Sequence, residues 1–176
     1  MITVSMLKVG TFKANDSLFF FAIWRSLNGV AHFKLAYNAY LRVCNWSYYG
    51  KTKDKNESLL PIIERAFNSP KFSGVDKVPA SDLITSAQDI FANDGSRYKI
   101  GDLRLSHFES NGTPFHYASW LTQSNKLIGR AWNQFSAFEA TGEKCDHISI
   151  MEKIAQKGGF DNRATGDIYC NYTTIF

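Results

Sequence analysis

The chain has 176 residues, a formal charge of +4 at pH 7, 44% hydrophobic side chains and 20% charged ones. That much apolar side chain with so little net charge excludes intrinsic disorder and suffices for one compact core. The longest apolar run, Leu18 to Trp24, falls far short of the ~18–20 residues of a membrane-crossing helix.

The first ten residues lack a basic head followed by an apolar stretch, so no secretory signal peptide is expected. Ile2 to Phe12 reads as a strand. Residues 17–46 read as a hairpin turned at Asn28-Gly29, because both residue types tolerate the positive φ of a type I′ turn. Beyond the turn, Ala31, Phe33, Leu35, Tyr37, Ala39, Leu41 and Val43 recur at period two, which favours a half-buried strand over a helix. Five basic side chains against one acid in residues 1–50 are scattered and carry no phosphate loop, so no nucleic-acid signature is read from them.

Lys51 to Asn56 is a charged loop. A helix is predicted near 57–68, with Pro61 in its first turn, and a second near 81–92, with Ser81 as its N-cap. Residues 98–135 read as a three-strand meander with turns at Asn111-Gly112 and Ser124-Asn125. A third helix is predicted over 146–156, stopped by Gly158-Gly159. The β-branched and aromatic tail, Asp167 to Phe176, predicts a closing strand. The expected fold is therefore a single α+β domain over 1–176, with a mainly antiparallel sheet and about three helices.

Thiol chemistry is the first enzyme class to test. Cys145 stands one residue before the predicted 146–156 helix, where unpaired N–H groups and the helix dipole favour thiolate. His116 stands on the second meander strand, a rigid place for a base. Cys44 and Cys170 fall among alternating apolar residues and read as structural. Three fragments, Gly101-Asp102-Leu103, His116-Tyr117-Ala118 and Lys144-Cys145-Asp146-His147, resemble the permuted branch of the NlpC/P60 papain-like superfamily, which includes the lecithin-retinol-acyltransferase-like proteins. The resemblance covers about 50 of the 176 residues. It implies a cysteine hydrolase or acyltransferase acting on an amide or ester, with Cys145 as nucleophile and His116 as general base.

Other chemistries have less behind them. Cys145 and His147 could ligate a metal, but no second pair follows at ligand spacing, so no metal is expected. Glu109 and Glu139 read as solvated carboxylates, and His32 and His107 as ordinary strand histidines. No dinucleotide fingerprint or Gly-x-Ser-x-Gly elbow is present, and no cofactor is expected. The alternative function is a non-catalytic binding protein, of the secreted-effector or phage-inhibitor kind, using an aromatic surface. Asn45 to Gly50 reads as its loop, with Trp46 and Tyr48 as the ligand-binding residues.

Overall fold

The computed structural model describes residues 1–39, 42–52, 58–91 and 94–176, with the backbone alone at 38, 39, 42–44, 162, 170 and 171. It is a mixed α+β structure built on antiparallel sheet. The span read from the sequence as one domain divides by contact into two compact units. Thr3–Tyr98 forms one. Lys99–Phe176, with Met1–Ile2, forms the other.

The first unit is a meander of β2 (Met6–Ala14), β3 (Ser17–Arg25), β4 (Val30–Ala39) and β5 (Arg42–Lys51). Helices α1 (Leu60–Asn68) and α2 (Ala80–Ser86) follow, then β6 (Gln88–Asp89), which pairs with β2. The sheet order is β5-β4-β3-β2-β6. Phe21, Ile23, Phe33 and Leu35 face the helices and pack with Ile62, Ile63, Phe67 and Leu83. Period two on the strands and i, i+4 spacing on α1 thus bury one common face.

The second unit repeats this order. The meander runs β7 (Tyr98–Ser110), β8 (Thr113–Thr122), β9 (Lys126–Trp132) and β10 (Ala137–Glu143). Helices α3 (His147–Gly158) and α4 (Asn162–Asn171) follow. The short β11 (Thr173–Thr174) then pairs back on β7. The sheet order is β1-β7-β8-β9-β10, where β1 is Ile2–Val4. Both units are therefore a four-strand meander, two helices and a strand returning to the first. The repetition is one of topology; no sequence repeat accompanies it.

Turn chemistry explains the registers. Asn111 and Gly112 take φ of +51° and +74°, the two left-handed residues of a type I′ hairpin, which sets Ser110 opposite Thr113. Asn15 and Asp16, at +50° and +55°, turn β2 into β3 in the same way. Asn28-Gly29 departs from the expected type: only Gly29 is left-handed. The Ser26 carbonyl accepts from Gly29 N at 3.3 Å, so the loop is longer than two residues.

Several expectations need correction. Four helices, not three, stand among the described residues, and there are two sheets. The meander at 98–135 gains a fourth strand, β10. The tail is helical to Asn171, and only Thr173–Thr174 is strand. Asp161 caps α4 by accepting from Arg163 N and Ala164 N, and Ala164 and Ile168, four residues apart, reach the core. Burial at helical spacing there outweighs the tail's β propensity. The helix expected at 81–92 stops at Ser86, where the chain extends to pair with β2. Asn45 to Gly50 is strand rather than loop.

The fit of α3 on its sheet gives a test. A Cβ at Gly129, on β9, would collide with Ile150 of α3 and lie 3.0 Å from the Tyr117 hydroxyl. Gly129→Ala should destabilise the protein by about 1–3 kcal/mol through overpacking. Gly166, inside α4, has nothing within 4 Å of an added Cβ. Gly166→Ala should stabilise by about 0.5–1 kcal/mol. Urea unfolding of both variants checks the opposite signs.

Candidate functional site

The expected catalytic residues occupy the predicted elements but different faces. On β8, Tyr117 packs beneath α3 with Met151 and Ile154. The adjacent His116 therefore projects from the other face. There it meets His107 across the β7 pairing, with ring centroids 5.5 Å apart, and stacks on Trp132 at 5.6 Å. Cys145 lies on the α3 side. Its sulfur fills the space over Gly142, where a Cβ would strike it. It is a half-exposed free thiol, one residue before the N-cap Asp146, which accepts from Ser149 N at 2.8 Å. The fold does not bring Cys145 and His116 together, because the sheet lies between them. The side chains of Cys44 and Cys170 lie outside the described residues.

A different constellation assembles under α3. His147, the first residue of that helix, bonds through Nε2 to Asp102 Oδ2 at 2.8 Å and through Nδ1 to Ser119 Oγ at 2.7 Å. Arg104 clamps the same carboxylate through Nε at 3.0 Å and Nη2 at 3.1 Å. Asp102 sits at φ +48°, where the β7–β8 register slips between Gly101 and Arg104. That bulge re-aims the carboxylate toward the helix. Two of these residues stand in fragments visible in the sequence, Gly101-Asp102-Leu103 and Cys145-Asp146-His147. Ser119 had no such signal, since only the pairing of β8 places it below His147.

The protonation pattern follows from the partners. Burial raises the Asp102 carboxyl, but the Arg104 and His147 hydrogen bonds outweigh this and hold it below its usual value. It is then a pure acceptor, so His147 Nε2–H donates to it. Burial, helped by the Arg104 charge, lowers His147 despite the opposing pull of Asp102. The ring is neutral at pH 7, and Nδ1 accepts from the Ser119 hydroxyl. This is the tautomer a general base needs. The exposure, however, runs the wrong way for a hydroxyl nucleophile. Ser119 is fully buried, the His147 side chain is 10% exposed and that of Asp102 is 39% exposed. The wet end is the carboxylate, and it is already held by Arg104. The arrangement anchors α3 to the sheet.

Trp46 and Tyr48, the expected ligand-binding pair, are half-buried on the helix side of β5. Trp46 stacks near Phe19 at 6.2 Å and meets Phe72 edge-on at 5.6 Å. Their neighbour Tyr49 points the other way and is 71% exposed. Tyr49, His32 and Trp24 stand opposite one another across β5, β4 and β3. Trp24 stacks flat on His32 at 5.2 Å, and His32 leans on Tyr49 at 6.2 Å. Burial lowers His32, so this row is neutral at pH 7.

Comparison with protein-family models, curated proteins and solved structures finds no match. No three His, Cys, Asp or Glu side chains among the described residues converge as metal ligands. Among those residues no helix is long and apolar enough to cross a membrane. A shallow cleft of about 350 Å³ between α1 and α2 is floored by Leu60, Phe67 and Val78, with Glu64 and Lys77 at its rim.

His116 yields a pH prediction. Burial and the charge of His107 lower it from 6.5 to about 4. The unfolded chain therefore takes up its proton first, and stability should fall as pH drops from 6.5 toward 4, by up to about 3 kcal/mol from this group. His116→Gln should flatten the decline, read as the urea midpoint between pH 7.5 and pH 4.5.

Proposed function

We propose that the chain is a non-catalytic binding protein that engages its partner through β5. One observation carries the reading: the aromatic row Trp24–His32–Tyr49 ends on an exposed ring on the outermost strand of its sheet. A tyrosine held by a stacked neighbour presents a large apolar face with a polar tip, at little entropic cost on binding. The strand beneath it has one neighbour, β4, and none on its other side among the described residues. Trp46 and Tyr48 support the strand from the helix side rather than meeting the partner.

Replacing Tyr49 with a photoreactive benzoylphenylalanine should give a crosslinked adduct in extracts of the source cells. The same replacement at Phe135, 85% exposed in the other unit, should not. Adducts at neither site, or equally at both, remove the basis for the reading.

Thiol hydrolase or acyltransferase chemistry is the second reading, favoured by the half-exposed free thiol of Cys145 one residue before the α3 cap. A fluorophosphonate probe and iodoacetamide decide between the two. On the binding reading, Ser119 stays unlabelled and Cys145 alkylates no faster than in the unfolded chain. Stoichiometric labelling of Ser119, or accelerated alkylation of Cys145 near neutral pH, would establish the enzyme instead.

A further inference from the structure

We infer that the partner of β5 is an extended, acidic polypeptide segment that adds to the sheet as a further strand; this rests on the reading of β5 as the binding surface. Three observations carry it. First, β5 spans ten residues, Arg42–Lys51, about 33 Å of strand. All ten pair with β4 in unbroken register, and no strand among the described residues takes the other side. An edge of that length offers a row of backbone donors and acceptors that an extended peptide can pair.

Second, strands β3, β4 and β5 carry cations and no acid. From Ser17 to Lys53 the chain contains no Asp or Glu, whereas Arg42 and Lys51 stand at the two ends of β5. Lys51 is exposed, and the guanidinium of Arg65 on α1 reaches its carbonyl at 3.4 Å, adding a second cation at that end. Carboxylates on an incoming strand would meet cations that no acid of these strands neutralises.

Third, Tyr49 and Lys51, two residues apart and both exposed, share the face of β5 that points away from the helices. Exposed Tyr49 then gives an apolar side chain of the incoming strand a ring to cover. Main-chain pairing along an edge also distinguishes a polypeptide from a nucleic acid, which has no strand to add.

The test uses a displayed random dodecapeptide library selected on the whole protein. Enriched sequences should carry Asp or Glu flanking β-branched or aromatic residues. A fluorescein-labelled peptide of the enriched sequence should bind by anisotropy, about tenfold more weakly to Lys51→Glu and more weakly in high salt. N-methylation of alternate peptide nitrogens should abolish binding in one phase and spare it in the other, since only alternate groups face the edge. Circular dichroism of Lys51→Glu guards against misfolding. Enrichment without acidic residues, indifference to N-methylation in both phases, or displacement by oligo-dT overturns the inference. If the library fails while the Tyr49 crosslink persists, β5 remains the binding surface and its acidic-strand assignment falls. If both fail, the binding reading falls with it.

Discussion

The position of α3 depends on the Asp102 carboxylate being held where His147 can reach it. Arg104 grips that carboxylate through two nitrogens, and the bulge at Gly101–Arg104 turns it toward the helix. His147 then bridges to Ser119 on β8. The charge-assisted bond from His147 to Asp102 acts at the first turn of α3, beside its Asp146 cap. Once the helix start is fixed, Ile150, Met151 and Ile154 fall onto the sheet, and Gly129 and Gly142 leave room for Ile150 and Cys145. The hydrogen-bond pattern resembles a catalytic relay, but burial of its hydroxyl end makes it an anchor.

The two units use one plan to different ends. Each carries a cross-strand row with an imidazole at its centre: Trp24–His32–Tyr49 on β3–β5, and His107–His116–Trp132 on β7–β9. Burial lowers the central histidine in both. The second row ends on buried Trp132, the first on exposed Tyr49 at the outer strand. Only the first ends on an exposed ring, and it lies among strands without carboxylates.

Most of the sheet was legible because strand signals are local. Asn111-Gly112 marked a hairpin that forms with both residues left-handed, whereas the alternation read from Ala31 to Val43 as one strand covers β4, Val30–Ala39, and the start of a second strand, β5, at Arg42. What failed were segments whose state depends on remote contacts. The tail carries β-branched and aromatic residues, yet Ala164 and Ile168 find a core that only a helix can reach. Ser81 looked like a cap, but Pro79 occupies the cap position and the Ser81 hydroxyl turns to Asp82. On β5 the aromatic cluster was visible, but not that Trp46 and Tyr48 face the helices while Tyr49 faces away.

By itself the sequence determined the composition of the fold: antiparallel strands from period-two patterns, and helices read near 57–68, 81–92 and 146–156 where the structure has Leu60–Asn68, Ala80–Ser86 and His147–Gly158. These follow from the geometry of a few neighbouring residues, which the chain carries wherever it goes. The partners of each functional side chain were decided only by tertiary structure. His116 and Cys145 sat on the expected elements, but a strand sends adjacent residues to opposite faces, and the choice of face depends on where α3 packs. Asp102, Ser119 and His147 meet through pairings 28 and 45 residues apart. Local spacing carries no information about such distances, because register and packing set them after the chain has folded.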